Sequence, residues 1–362
     1  MSGMFSARSD SSRFVTVSPG SVALAREPSG ARRPGPDDAR VAVLACGICG
    51  TDLHLWHGMR LPPGAVYPVR PGHEVCGRVL EVGSAVGQGV DADAPRVGDL
   101  VVLHPVASCG VCPLCAQGRD QLCQQGRILG IHEPGGLADE VIWPASRTVV
   151  VDGIAPTAAA VLADAVATAY RAVRTADIAP EAVVCVLGAG GVGTHVLELM
   201  RALTPRATLV GVTGSERSAE RLHSSGFDAV VAGDDLVKRL RASHGSFDTV
   251  VEFSGAPPAP AQAVRLLRPG GTLLFGSVVD GPLALGPAVA LQSRELVVRG
   301  VYSSSLADLR DVVDFASAGR IDLSGSVTHT ASLDDAPDAF RTLDARPAGL
   351  VRMVVTTGSA GE

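Results

Sequence analysis

The sequence predicts an α/β protein with a mostly β first domain and a doubly wound parallel sheet after it. Three observations carry this. The chain has 362 residues, room for roughly two domains with separate apolar cores. Up to about residue 155 it is rich in Gly and Pro, with short β-type runs parted by turn residues. Beyond that point strand-like apolar runs alternate with helical ones, the pattern of βαβ units.

The elements follow in order. Residues 1–13 are polar and Ser-rich, lack the apolar stretch of a secretory signal, and read as a flexible tail. Strand-like runs stand at Val41–Leu44, Gly77–Val82 and Asp99–Leu103, within a β domain expected over 14–160. An Ala-rich helix is expected over Ala158–Ala176. Ala182–Leu187 reads as a buried strand ending in a glycine turn, followed by a helix over Thr194–Leu203 and a strand over Thr208–Val212. Further strands are expected at Thr249–Phe253 and Thr272–Phe275, with a helix over Ala261–Leu267 between them. This parallel-sheet domain is assigned to 161–302, and 303–362 is expected to rejoin the first domain.

Composition excludes several classes. Hydrophobic residues at 46% and charged ones at 19% fit a globular chain rather than a disordered one. A net charge of −6 leaves no basic surplus for a phosphate backbone, so no nucleic-acid partner is expected. The sole lysine, Lys238, lies in a charged stretch, which argues against Schiff-base chemistry. No run of about eighteen apolar residues suggests a membrane span, and a cytoplasmic location is the default expectation. Eight cysteines in such a chain point to metal ligands or buried thiols rather than disulfides.

Four of these thiols are close together: Cys109, Cys112, Cys115 and, after a longer gap, Cys123. Four thiolates so spaced can enclose one Zn²⁺ as a closed, structural tetrahedron. Buried free thiols and an iron–sulfur cluster are the alternatives; the surrounding motifs argue against the cluster. Upstream stands Cys46-Gly-Ile-Cys49-Gly-Thr51-Asp-Leu-His54, and farther on Gly72-His73-Glu74. A catalytic zinc needs about three protein ligands and an exchangeable position, which Cys and His can help to supply.

In this order, the motifs resemble those of the zinc-containing medium-chain dehydrogenase/reductase family, alcohol dehydrogenase type, from about Phe14 to the C-terminus. The resemblance implies a GroES-like catalytic domain and a Rossmann domain. It implies Cys49 and His73 as catalytic zinc ligands, with Asp164 at the family's third position. Cys46 falls outside the ligand position and reads as a packed thiol. Glu74 is a candidate to stand beside the metal and approach it when water leaves. About two Zn²⁺ per chain are thus expected, one catalytic and one structural. Such a metal lowers the pKa of a substrate hydroxyl, and the proton needs a route out of a dry pocket. Thr51 and His54 can supply that route, a relay that the resemblance also assigns. Trp56 and His57 follow and are candidates to line the pocket, packing and surface roles being equally open.

Gly188-Ala189-Gly190-Gly191-Val192-Gly193 contains G-x-G-x-x-G between a strand and a helix, the context in which this motif binds a pyrophosphate. Thr168, on the preceding helix, is a further cofactor candidate. NAD-dependent relatives carry an acid where this chain has Thr213, and Ser218 replaces their frequent basic residue five positions later. Without that carboxylate, Thr213, Ser215 and Arg217 could hold a 2′-phosphate, so NADP(H) is favoured over NAD(H).

The expected function is therefore zinc-dependent hydride transfer between an alcohol or carbonyl and a nicotinamide cofactor. One alternative is a polyol or cyclitol dehydrogenase using NAD(H). Another, from a different class, is a zinc-stabilised nucleotide-binding protein without turnover. The resemblance also implies a homodimer or homotetramer.

Overall fold

Small and β-branched apolar residues along Asp38–Ile48 (DARVAVLACGI) make a long strand that is buried along most of its length. Such a strand needs neighbours on both edges. In this computed structural model, which describes residues 11–30, 32–88, 93–279 and 281–358, it sits mid-sheet. The sheet order is His329–Ser332, Met353–Thr356, Asp38–Ile48, Glu74–Val82, Leu100–Leu103, Thr148–Val150, with Glu140–Pro144 also pairing on the central strand. The register matters for the site. Gly47 stands opposite Glu74 on one side and Val354 on the other, so one face of the sheet brings these positions into line.

The described residues form two units, one within 11–164 with 327–346 and 352–358, and the other within 165–326 with 347–351. Two sequence expectations change here. Ser11 to Arg13, expected in the tail, begin the strand Ser11–Ser18, which pairs with Ser21–Pro28. Arg13 anchors it through its backbone N–H and guanidinium to Asp139. Residues 1–10 of the expected tail lie outside the described residues. The stretch 303–326, expected in the first domain, groups with the second unit. The helix Leu306–Ser317 explains this by packing on the helix Ala167–Ala176. Phe315 meets Tyr170 edge-on at 5.6 Å, the Tyr170 hydroxyl donates to Asp311 at 3.0 Å, and Arg174 donates to Asp308 at 3.0 Å.

The second unit is a six-stranded parallel sheet ordered Asp228–Val231, Thr208–Thr213, Val183–Leu187, Phe247–Glu252, Leu267–Phe275, Val297–Gly300. The order reverses beside Val183–Leu187, which creates a crevice at the strand ends where α/β sheets bind ligands. Leu187, Val212, Leu240, Phe247, Val264 and Leu273 lie in one buried cluster of this unit. At about 1.5–3 kcal/mol per fully buried side chain, such a cluster is a dominant favourable contribution to this unit. Among the described residues no helix is long and apolar enough to cross a membrane.

Candidate active site

Cys49 is the N-cap of the helix Gly50–Trp56. Its sulfur accepts from the Thr51 N–H at 3.3 Å, and its own N–H donates to Asp52 Oδ2 at 2.9 Å, forming a capping box. The thiol is thus fixed where a helix start favours negative charge. His73 immediately precedes the strand Glu74–Val82, and its Nε2 lies 3.1 Å from Cys49 Sγ. Asp164 Oδ2 is 3.6 Å from the same nitrogen. These spacings are near the ~3.3–3.8 Å edges of a tetrahedron built with ligand bonds of about 2.0–2.3 Å. Glu74 also contributes a carboxylate oxygen to the group, all of whose donor atoms lie within 4.8 Å of one another.

Asp164 reaches this place through a feature that the sequence does not announce. The continuous helix expected over Ala158–Ala176 is interrupted: Pro156–Val161 is α-helical, Leu162–Val166 is a π-helical turn, and Ala167–Ala176 is α-helical again. A π turn inserts a residue and re-aims the side chains on it, here Asp164.

Two residues missed in sequence support the group. Arg352 Nη1 donates to Glu74 Oε1 at 2.7 Å, both side chains being almost wholly buried. Gly47 makes this possible, because a Cβ there would strike the Glu74 carboxylate. Asp52, fully buried, holds the Cys49 N–H and places Oδ1 3.9 Å from His73 Nδ1. Its capping-box spacing from Cys49 was a usable signal; Arg352, far along the chain, had none. Burial disfavours charge on His73, yet Cys49, Asp52 and Asp164 together raise its pKa well above the ordinary value. Burial pushes Glu74 up to about 7, with Arg352 opposing the rise.

The donor set fits a divalent cation. It combines a thiol, an imidazole and a carboxylate, while Glu74 Oε2 is buried beside them without a hydrogen-bond partner. Thr51 and His54 lie three residues apart on the same helix, so both fall on one face close to Cys49, and both are half-buried. Cys46 is a packed thiol, 1% exposed. Trp56 and His57 turn elsewhere: Trp56 packs edge-on to Phe340, and His57 lies 3.3 Å from Asp344, both on the helix Ala336–Ala345.

Cys109, Cys112, Cys115 and Cys123 converge around the short helix Pro113–Ala116, with sulfur separations of 3.9 Å (Cys109–Cys115), 3.5 Å (Cys112–Cys115) and 4.0 Å (Cys112–Cys123). A Zn–S tetrahedron with bonds of about 2.3 Å has edges of about 3.8 Å, so this lobe fits one zinc.

In the second unit the glycine turn lies between the strand Val183–Leu187 and the helix Gly193–Leu203. Gly188 has φ +89°, and a Cβ there would collide with the backbone of Ser254 across the sheet crevice. Gly190 is exposed, with nothing within 4 Å of where a Cβ would stand, and no side chain caps the helix at Val192. An open glycine before an uncapped helix start fits a pyrophosphate. Gly191 lies between them in the same turn, and Thr168 is buried in the first turn of its helix. The Thr213 hydroxyl donates to the Ser215 carbonyl at 3.0 Å, and Ser215 caps the helix Glu216–Ser224. Arg217 is exposed on that helix.

The chain is similar to known proteins in sequence and fold. Residues 35–153 match the family model of the alcohol dehydrogenase GroES-like domain, and 191–318 that of the zinc-binding dehydrogenases. The L-galactonate-5-dehydrogenase of Escherichia coli K12 is 30% identical over 82% of this chain and 83% of its own length. A Sinorhizobium meliloti structure described as a zinc-binding dehydrogenase bound to NADP superposes with a TM-score of 0.84 at 30% identity, covering 96% of this chain and all (100%) of the other. An Escherichia coli alcohol dehydrogenase complexed with NADH has a TM-score of 0.85 at 21% identity, covering 96% of this chain and 100% of that one, a likeness of fold alone. With metal group, glycine turn and relatives in agreement, the chain belongs to the zinc-containing medium-chain dehydrogenase/reductase family, alcohol dehydrogenase type.

Proposed function

We propose that this chain, an oxidoreductase acting on CH–OH groups, works at a zinc held by Cys49, His73 and Asp164 and favours NADP(H). The observation that carries the reading is the convergence of those three donors on one point, with Glu74 behind them. Zinc, when bound, supplies Lewis acidity that lowers the pKa of a substrate hydroxyl, and the nicotinamide supplies the hydride acceptor or donor. The chain's own groups do the rest. Asp52 fixes the Cys49 backbone and faces His73, so two ligands share one support. Arg352 holds Glu74 Oε1, which leaves Oε2 to face the donor group. The Thr51 hydroxyl accepts the substrate proton as it passes its own proton on, and the His54 imidazole takes up one proton at its unprotonated ring nitrogen for release to solvent. The four-cysteine lobe holds a second, structural zinc.

NADP(H) is favoured by the absence of a carboxylate at Thr213, by Ser215 and Arg217 after it, and by the NADP carried by the Sinorhizobium structure. A polyol or cyclitol dehydrogenase is a second reading, favoured by the relative named for L-galactonate, a polyhydroxylated substrate. We also propose a homodimer through the sheet edge Val297–Gly300, all four of whose residues are exposed, Val297 at 44% and Val298 at 38%.

Initial rates with NADP⁺ and NAD⁺ across primary alcohols, secondary alcohols and polyols test the reading. Zinc-dependent turnover with NADP⁺ is expected for at least one class. Turnover that survives removal of all zinc, or none with zinc fully loaded, would overturn it.

A further inference from the structure

The helix Glu216–Ser224 carries two arginines one turn apart, and they stand in different surroundings. Arg217 is exposed, and its Nε lies 2.6 Å from where a Cβ on Gly349 would stand, so its side chain runs along the backbone of 347–351. Arg221 turns to the glycine motif instead. Its Nη2 donates to Thr194 Oγ1 at 3.1 Å, and that hydroxyl donates to the Ala189 carbonyl inside the turn at 3.2 Å. Thr194 is the second residue of the fingerprint helix, so this bridge ties the guanidinium to the place where the helix begins.

Arg221 is half-buried and poorly compensated. Its Nε is out of solvent and has no hydrogen-bond partner. No described carboxylate forms an ion pair with it. Glu198, the acid that influences it, has its Oε2 engaged 2.8 Å from His195 Nδ1. Burial lowers the pKa of Arg221, as it does for any cation that lacks a counter-ion. A partly desolvated guanidinium is costly unless an anion answers it. Place in the fold suggests the anion: Ser218 and Arg221 share one face of the helix that follows Thr213 and its cap Ser215, the segment read above as the 2′-phosphate site. Long helical side chains lean toward the N-terminus, so the Arg221 guanidinium returns toward the level of Ser218.

We infer that Arg221, tethered by Thr194, is the counter-ion for the 2′-phosphate of NADP(H) and the main determinant of cofactor choice. This rests on the NADP(H) reading above and assigns its discrimination to a residue that the Thr213–Arg217 segment does not include. A guanidinium fixed through Nη2 by one hydroxyl keeps the N–H groups of Nη1 to offer to phosphate oxygens.

Calorimetric titration of the zinc-loaded chain with adenosine 2′,5′-bisphosphate and with 5′-AMP tests it, because the two differ only by the 2′-phosphate. The unmodified chain should bind the bisphosphate at least tenfold more tightly, by about the strength of a charge-assisted hydrogen bond. Arg221→Met should abolish that preference and leave 5′-AMP affinity within about twofold. Thr194→Val, which keeps the charge but removes its tether, should lose part of the preference, and it decides the matter if Arg221→Met does not fold. An unmodified chain that prefers the bisphosphate, with the preference intact in the folded variants, overturns the role of Arg221 and leaves the NADP(H) reading standing. No preference in the unmodified chain overturns both.

Discussion

Arg352 and Glu74 form a buried ion pair across Gly47, with Nη1 and Oε1 2.7 Å apart and side-chain exposures of 4% and 0%. The pair spans the central strand Asp38–Ile48, tying the strand Glu74–Val82 to the residue just before Met353–Thr356 beside the proposed zinc ligands. Removing one partner leaves an uncompensated buried charge. Arg352→Met is therefore expected to destabilise the chain by about 3–5 kcal/mol, and Arg352→Met with Glu74→Gln by clearly less. Urea unfolding of the two variants measures the difference. Equal losses in both would mean that the charge pair is not the source.

The structural lobe predicts an order of thiol reactivity once its zinc is withdrawn. Hydrogen bonds from the Val111 and Cys112 backbone pull the Cys109 thiol down to about 6, while burial pushes Cys123 up to about 11. At pH 7 the metal-free lobe thus holds Cys109 mainly as thiolate, the nucleophilic form. Iodoacetamide after chelation should label Cys109 first and leave the fully buried Cys185 unlabelled. Peptide mapping reads the order; rapid labelling of Cys109 with zinc still bound would contradict a four-thiolate site.

Arg70 makes a two-pronged contact with Glu27, at 2.8 and 2.9 Å, and holds its carboxyl below the ordinary value. A lowered folded-state pKa means that the contribution is in place above the unfolded value and is lost as pH falls through the folded one. The pair is partly exposed, so about 0.5–1 kcal/mol is expected. The Tm of the unmodified chain should exceed that of Glu27→Gln near neutrality, and the gap should close below about pH 4. A gap unchanged at pH 3 would count against the pair.

An exposed apolar edge strand invites pairing with a second copy. Val298→Lys would place like charges close together across a two-fold axis. Sedimentation should show a dimer for the unmodified chain and a monomer for the variant. A variant that stays dimeric places the interface elsewhere.

Much of this molecule was legible in its sequence, because its strongest signals are local. The spacing of Cys109, Cys112 and Cys115, and the glycines from Gly188 to Gly193, encode geometry within a few residues; in the structure the sulfurs lie together and the glycine turn links a strand to a helix. Less legible were features set by distant packing. The π turn at Asp164 has the same Ala-rich composition as an unbroken helix. Arg352 reaches Glu74 only through strand register. The stretch 303–326 looked mixed in sequence, and only the contacts of Tyr170 and Arg174 with the helix Leu306–Ser317 draw it to the second unit. Arg221 stands one helical turn beyond the Thr213–Arg217 segment, and its bridge to Thr194 depends on how two helices pack.

The zinc content of the unmodified chain and of Cys49→Ser, measured with turnover on the same samples, tests the central claim most directly. The proposed ligand sets require about two zinc per chain, falling to about one in Cys49→Ser with turnover down at least ~10³-fold and the lobe zinc retained. A Cys49→Ser variant that keeps both zinc ions and full turnover would contradict the account.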